Sequence, residues 1–246
     1  MGALFYITFF LIVYTYAGYP RSMWGPGKVS GRRTRKAHGG YGKTVSVLIA
    51  AYNEERYIRG TVLNKLAQDY PKDLLEIIVA SDSSSDRTDA ICAGLSTEYG
   101  NVKCLRMKER RGKAAALNAA VKEAKGEIIV FSDANSMYRE DAVSNLVRNF
   151  VDPSVGYATG HMVYMKRDGT LTEEGCSSYM KYENFIRRAE SSVSSVVGVN
   201  GGIDAVRRSL YEEIREDLIS DFVIPLMVVK KGYRVVYDPQ AVLEED

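Results

Sequence analysis

The chain has 246 residues, 46% of them hydrophobic and 26% charged, with a net charge of +2. That suits one large globular domain, and a balance so near zero excludes a global field drawing the chain to nucleic acid. Cys92, Cys104 and Cys176, with His38 and His161, show no metal-ligand spacing, which excludes a disulfide framework and a zinc site and fits reduced thiols in a cytosolic compartment.

Ala3 to Tyr19 is nearly unbroken apolar and aromatic sequence without a charge. It lies at the short end of the roughly 17–25 residues that a membrane helix needs. Tyr14, Tyr16 and Tyr19 gather at one end, where interfacial aromatics belong, and Pro20 is expected to stop the helix. A signal peptide would need a basic leader and a small-residue cleavage site, and a core helix would need a polar face; neither is evident. Residues 1–20 are therefore read as a transmembrane anchor. Arg21, Lys28, Arg32, Arg33, Arg35 and Lys36 crowd the Gly/Pro/Ser-rich segment after it. Residues 21–43 read as a basic flexible linker, able to rest on anionic headgroups or to act as a solvated spacer. By the positive-inside rule the chain beyond this basic cluster is cytoplasmic, at the membrane face.

Residues 44–246 form the folded domain. Val45 to Ala50 reads as a strand, and Ala51, Tyr52, Asn53 and Glu54 end it. Ile58, Val62 and Leu66 then share one helix face. Leu75 to Ala80 is the second strand, followed by Ser81, Asp82, Ser83, Ser84, Ser85 and Asp86, a rich source of helix caps. Ala90, Ile91 and Leu95 are expected on the buried side of the next helix. Val102 to Met107 reads as a third strand, then Arg110, Arg111, Gly112 and Lys113 open an alanine-rich helix that Gly126 is expected to end. Ile128 to Phe131 is the fourth strand, with Asp133 and Asn135 beyond it. Strand and helix alternate four times, which makes an α/β domain with a mostly parallel sheet flanked by helices.

In such sheets ligands bind outside the carboxyl ends of the strands. The polar residues after each strand, Asn53/Glu54, Asp82, Arg111/Lys113 and Asp133/Asn135, thus converge on one edge. Two oxygen-bearing side chains one residue apart suit a hard cation; an Asx turn closing the strand is the alternative. Neither glycine-rich phosphate fingerprint is present, so a nucleotide must be held differently. Arg111 and Lys113 at a helix N-terminus suit a diphosphate.

S-V-L-I-A-A-Y-N-E-E (46–55), S-D-S-S-S-D-R-T (81–88), R-R-G-K-A-A-A-L-N-A-A (110–120), F-S-D-A-N-S (131–136), G-V-N-G-G-I-D-A-V-R-R (198–208) and S-D-F-V-I-P-L-M-V-V-K-K-G-Y-R-V-V-Y-D-P (220–239) together resemble the successive signatures of family 2 glycosyltransferases. The resemblance covers essentially Val45 to Leu243 and points to the membrane-bound branch related to cellulose synthase-like and poly-N-acetylglucosamine synthase-like enzymes. It implies the GT-A fold and a nucleotide-diphosphate sugar donor, a UDP-sugar, with a saccharide or lipid-linked acceptor. Residue by residue it implies that Ala51, Tyr52 and Glu54 line the nucleotide pocket and that Asp82 reads the uracil edge or the ribose. Lys113 and Arg111 would contact the nucleotide and diphosphate. Asp133 and Asn135 would hold Mg²⁺ or Mn²⁺, Gly201 and Gly202 would admit the donor sugar or acceptor, and Asp221 would be the catalytic base.

Two departures from the family pattern stand out. The metal motif ends in Asn135 rather than Asp, an oxygen donor without the charge. The pair before the last helix is Ser220-Asp221, where the family often has Glu-Asp. By spacing alone Asp221 reads rather as a cap for the helix over Phe222–Lys231. Relatives usually continue beyond a position like Asp246, often with a Q-x-x-R-W motif and further membrane helices, so a truncated piece or a short form is expected. One base without a nucleophile implies single displacement with inversion. Two rivals stay open: a family member that binds donor without turnover, and a nucleotidyltransferase, which would carry a glycine-rich loop near its first strand. Ser177 to Ala189 has Tyr179, Tyr182, Phe185 and Ile186 at helical spacing; it reads either as a helix packed on the sheet or as one near the lipid surface and acceptor. His161 reads as structural.

Overall fold

The computed structural model describes residues 2–23, 34–37, 42–164 and 178–245; the expectations placed on Lys28, Arg32, Arg33, His38, Cys176 and the Tyr179 side chain lie outside them. The chain opens with α1 (Gly2–Val13), which continues through a wider π-turn at Tyr14–Gly18 and back into α-helix as far as Met23. This helix is long and apolar enough to cross a membrane by length and composition. Pro20 does not stop it. A proline lacks the N–H that would meet the carbonyl one turn back, here that of Tyr16. Tyr182 meets it from outside: its hydroxyl is shared between the carbonyls of Thr15 and Tyr16 at 3.1 and 3.2 Å.

The first half of the domain alternates as the sequence predicts: β1 (Val45–Ala51), α2 (Ile58–Leu66), β2 (Leu75–Ser81), α3 (Thr88–Glu98), β3 (Val102–Arg106), α4 (Lys113–Glu123) and β4 (Ile128–Asp133). The second half runs β5 (Met137–Tyr138), α5 (Ala142–Val147), β6 (Val155–Tyr164), α6 (Ser178–Val193), β7 (Asp204–Arg207), α7 (Ser220–Lys230) and β8 (Arg234–Glu245). One eight-stranded sheet results, in the order β3-β2-β1-β4-β7-β6-β8-β5. β1 pairs in parallel with both β2 and β4, and β2 with β3. Beyond β4 the sheet is mixed: β7 runs antiparallel to β4 and β6, β8 parallel to β6, and β5 antiparallel to β8.

The chain leaves β1 toward β2 and β3, then returns to place β4 on the other side. The gap between the ends of β1 and β4 is therefore the switch point at which an open α/β sheet binds its ligand. Alternate residues of the central strands feed two cores. Val47, Ile49, Ile77, Val79 and Val130 pack with Ile58, Val62, Leu95, Leu146 and Phe150 on one face. Leu48, Ile78, Ile129 and Phe131 pack with Ala116, Leu117, Ala120, Ile224 and Val228 on the other. Burial on both faces is why these strands read as unbroken apolar runs.

Two local expectations are corrected. Ala90 is exposed; α3 starts at Thr88, so Thr88, Cys92 and Leu95 form its buried stripe. The helix before β4 ends at Glu123, and Gly126 serves a close approach instead: a Cβ there would lie 2.4 Å from the Ser46 backbone nitrogen, on β1. Cys92 and Cys104 are free. His161 is tied to the Tyr237 hydroxyl through Nδ1 at 3.0 Å, in keeping with a structural role.

Residues 35–37, within the 21–43 segment, rest on the domain. Arg35 N–H donates to Asp152 at 3.2 Å, and Ala37 N–H to the Arg148 carbonyl at 3.1 Å. The Lys36 ammonium reaches the wholly buried Asp238 at 2.8 Å. Burial pushes the Asp238 carboxyl up, but Lys36, Asn149 and Arg148 outweigh it and hold its pKa below the usual range. α6 packs on the sheet, its Asn184 accepting from the Tyr237 hydroxyl of β8 at 3.2 Å.

Candidate active site

The loops after β1 and β2 are laced together before any ligand arrives. Asp82 N–H donates to the Ala51 carbonyl at 2.8 Å. Asn53, held at φ +56°, donates its N–H to Ser84 Oγ and accepts from Ser85 N–H through its side chain. Glu54 N–H donates to Thr88 Oγ1 at 2.8 Å. The cap-rich segment Ser81–Asp86 thus fastens the expected nucleotide-pocket residues as well as starting α3. The Tyr52 ring lies under the Arg110 guanidinium, 3.9 Å from its carbon to the ring centroid, a cation–π contact.

Asp82 is buried, and its two carboxylate oxygens accept the backbone N–H groups of Arg111 and Gly112 at 2.8 and 2.7 Å. Charge-assisted bonds of this kind fix the loop that opens α4. Gly112 takes φ +92°, a conformation suited to glycine, and turns the chain so that Lys113 begins the helix. The guanidinium of Arg111 pairs with Glu216 on the loop ahead of α7.

Lys113 is the centre of the site. Its ammonium lies 2.7 Å from Asp133 Oδ1, at the end of β4, and 3.4 Å from Asp221 Oδ2, in the first turn of α7. Partial burial pulls the Lys113 pKa down, but the two carboxylates outweigh this and raise it. Asp221 does not cap its helix: Ile219 is the cap residue, without a side-chain bond, and the Asp221 carboxylate faces Lys113 instead.

The two glycines complete the floor. A Cβ on Gly201 would stand 2.5 Å from Asp221 Oδ2, and one on Gly202, at φ +85°, 3.0 Å from Asp133 Oδ2. Glycine therefore keeps one side of each carboxylate open. The Asp133–Ser136 turn is held from beneath by α2. Thr61 donates to the Ala134 carbonyl and Lys65 to the Ser136 carbonyl, both at 2.5 Å. The Asn135 amide nitrogen meets Glu245 Oε1 at 3.5 Å. Asp133 offers a carboxylate and Asn135 an amide oxygen one residue apart, with one side of Asp133 left open at Gly202, donor types that suit a hard divalent cation. Of the sequence-predicted residues, Asp133 and Asp221 meet at Lys113 with Gly201 and Gly202 against their carboxylates, and Asp82 fixes the loop ahead of Lys113. The Arg111 side chain is drawn to Glu216, and Ala51 stands behind Asp82 as its backbone acceptor.

The model of glycosyl transferase family 2 matches residues 46–215. The chain belongs to glycosyl transferase family 2. The poly-beta-1,6-N-acetyl-D-glucosamine synthase of Staphylococcus aureus (strain COL) is 29% identical over 202 residues, covering 80% of this chain and 48% of that protein. The probable glycosyltransferase YdaM of Bacillus subtilis (strain 168) is 33% identical over 215 residues, covering 82% and 50%. The chain spans about half the length of the curated relatives it matches. Among solved structures, the mannosyltransferase PcManGT from Pyrobaculum calidifontis, in complex with GDP-Man and Mn²⁺, is similar with a TM-score of 0.76 at 26% identity, covering 96% of this chain and 67% of that one. TarS of S. aureus, at 19% identity and a TM-score of 0.63, shares the GT-A fold.

Within this family frame the structure adds residues that motif reading missed. Asp204 of β7 is wholly buried, and neither carboxylate oxygen has a hydrogen-bond partner among the described residues. Burial pushes its pKa well up, with Asp221 and Asp133 adding to the rise against Thr159 and Lys113. Its signal was a charged residue inside the apolar run Ile203–Val206. Lys65 is equally buried, its ammonium 3.7 Å from the Tyr138 ring centroid, and burial draws its pKa well down against the pull of Asp133. It interrupts the apolar stripe of Ile58 and Val62, a pattern a sequence reader can see. Glu245 gave no signal. Only the pairing of β8 with β5 brings it to Asn135, where burial and the charge of Asp133 raise its pKa. Glu54 is raised similarly, by burial, Asp86 and Asp133.

Proposed function

We propose that the chain is an inverting glycosyltransferase that moves a sugar from a nucleotide-diphosphate donor to a saccharide or lipid-linked acceptor at the cytoplasmic face of a membrane. The observation that carries this reading is the bridge from Lys113 to Asp133 and Asp221 over the Gly201–Gly202 floor. It brings a cationic group and two carboxylates together, of which Asp133 would ligate the metal and Asp221 would act as base. Asp133 and the Asn135 amide oxygen would hold Mg²⁺ or Mn²⁺, which would neutralise charge on the departing diphosphate. Lys113 at the start of α4 lends further positive potential to the same phosphates. Tyr52, covered by Arg110, offers the base a stacking face. Asp221 accepts the proton of the attacking hydroxyl; with one base and no nucleophile, the anomeric centre inverts in a single displacement. The apolar helix over Gly2–Met23 serves as the membrane anchor, with residues 44–246 as the catalytic unit.

The base of the donor has two readings. The motif resemblance supports a UDP-sugar, and the GDP-Man in the Pyrobaculum complex supports a guanosine donor. A panel of UDP- and GDP-sugars, with and without Mn²⁺, separates them by melting temperature, since a ligand at about 100 times its Kd adds about 2.7 kcal/mol. The bound donor is then offered to saccharide and lipid-phosphate acceptors, and the product anomer is read by NMR. Retention at the anomeric carbon, or no donor that both shifts melting and turns over, refutes the proposal.

A further inference from the structure

Glu190 of α6 has no place in the mechanism above, yet it touches both the apolar helix and the active-site loop. It is a buried carboxylate, 6% exposed. Oε1 accepts the hydroxyl of Tyr19 at 2.5 Å, and Oε2 accepts the backbone N–H of Val197 at 3.0 Å. Tyr19 lies near the end of the apolar helix. Val197 opens the loop that leads to Gly201 and Gly202.

Both sides of this contact are reinforced. Tyr182 and Glu190 stand eight residues apart on α6, about two turns, so they share one helix face. Tyr182 holds the Thr15 and Tyr16 carbonyls while Glu190 holds Tyr19, so this face grips the helix at two levels. On the other side, Arg187 donates to the Gly198 carbonyl at 3.0 Å. Asn200 donates to Thr159 Oγ1 at 3.2 Å and to the Gly160 carbonyl at 2.9 Å. The loop then passes directly into the glycines that abut Asp221 and Asp133.

We propose that Glu190 is a positioning residue that couples the seating of the apolar helix to the Gly201–Gly202 turn, so that transfer depends on the Tyr19–Glu190 hydrogen bond. This rests on the glycosyltransferase reading. The physical cause is the burial of the Glu190 carboxyl group. With Tyr19 in place both oxygens of Glu190 are met; without it one oxygen of a largely covered carboxylate loses its partner, a cost above that of an ordinary lost hydrogen bond. The carboxylate then turns to find another donor and releases Val197. The loop loosens, and the floor under the two catalytic carboxylates loses its register. The nucleotide contacts on β1, β2 and α4 are untouched.

The test uses the full chain in phospholipid vesicles, comparing wild type with Tyr19→Phe, Glu190→Ala, Glu190→Gln and the Tyr19→Phe/Glu190→Ala pair. Tyr19→Phe is expected to speed amide exchange over residues 197–202 and to lower kcat, each by about tenfold, while nucleotide Kd stays within about twofold. Glu190→Ala acts in the same direction and more strongly, and adding Tyr19→Phe to it changes nothing further. Glu190→Gln recovers most of the rate, because its oxygen accepts from Val197 while its amide donates to the Tyr19 oxygen. Unchanged exchange in Tyr19→Phe overturns the proposal. So do multiplying effects in the pair, or faster exchange with full kcat. The exchange arm needs no donor: a wild type that turns over no nucleotide sugar removes the glycosyltransferase reading and leaves the coupling to be decided by exchange alone.

Discussion

Replacing Asp82 with asparagine separates two jobs that one carboxylate could hold. The motif resemblance makes Asp82 a reader of the nucleotide. The structure shows it already engaged, clamping Arg111 N–H at 2.8 Å and Gly112 N–H at 2.7 Å from a buried position. Each carboxylate oxygen has a second lone pair, so the clamp does not exhaust it. A hydrogen bond to a charged acceptor contributes about 1.5–3 kcal/mol. Asparagine keeps the shape but offers one acceptor, and it turns an NH₂ group toward the second backbone N–H. One bond is lost and a donor is left facing a donor, for a total of about 3 kcal/mol. In a chain of this size about 2–4 °C of melting temperature follows each kcal/mol, so Tm should fall by roughly 6–12 °C with no nucleotide present. Calorimetry gives the first reading, and amide exchange at Arg111 and Gly112 gives the second. Donor affinity falls as well, because Lys113 rides on the same loop. If Asp82→Asn melts with wild type while losing nucleotide affinity, the clamp contributes nothing and Asp82 is a reader alone.

Other outcomes rest on the same geometry. Asp221→Asn keeps the side-chain shape beside Gly201 and removes the base; turnover should fall about 10²–10⁴-fold while calorimetric donor binding persists, and intact turnover would exclude Asp221 as the base. Asp204 has its folded-state pKa raised well above the unfolded value, chiefly by burial. The folded state then binds more protons than the unfolded one, so stability is full below the ordinary aspartate pKa and declines as pH rises toward the raised value. Asp204→Asn should flatten that decline and melt no lower than wild type at pH 8; a steeper decline in the variant would show that the charge is used. Glu245→Gln removes the carboxylate that meets the Asn135 amide and should weaken Mn²⁺ binding by about tenfold in paramagnetic titrations without nucleotide. Equal Mn²⁺ affinity would remove Glu245 from the cation's surroundings.

The residues that a reader finds in this sequence are those whose local pattern and chemical role coincide. Val45–Ala51 and Ile128–Asp133 are buried on both faces, so their apolar runs announce strands, and the polar residues beyond them mark the sheet edge. Lys113, Asp133 and Asp221 lie far apart in sequence but stand at the starts or ends of such elements, where topology alone brings them together. The alternation stops being informative after β4. β7 and β8 pair antiparallel and parallel with neighbours set by long connections, and no local period encodes that choice. Glu245 meets Asn135 through the long-range pairing of β8 with β5 and was invisible for that reason. Ala90 was misplaced by a smaller effect, the point at which the helix starts, which decides which stripe faces inward.

Pro20 shows the same limit at the apolar N-terminal helix. Proline ends a helix when the carbonyl it frees has no other partner. That rule is local, and here a side chain distant in sequence overrides it: the Tyr182 hydroxyl lies against the Thr15 and Tyr16 carbonyls. Continuing the helix carries Tyr19 to Glu190, and through Glu190 to the loop that leads to Gly201. A helix that stopped at Pro20 and entered a free spacer would leave the catalytic unit merely tethered. Two further contacts oppose that arrangement, since Lys36 is bound to the buried Asp238 and Ala37 to the Arg148 carbonyl. The connection therefore touches the domain at α6 and again beside Arg148, and an apolar helix gripped at two levels fixes orientation in a way that a flexible basic linker cannot. On the proposed reading, with the acceptor held at a membrane, orientation would set how often the acceptor hydroxyl meets Asp221 in line. That is the physical reason to expect anchor substitutions to act on kcat rather than on donor binding.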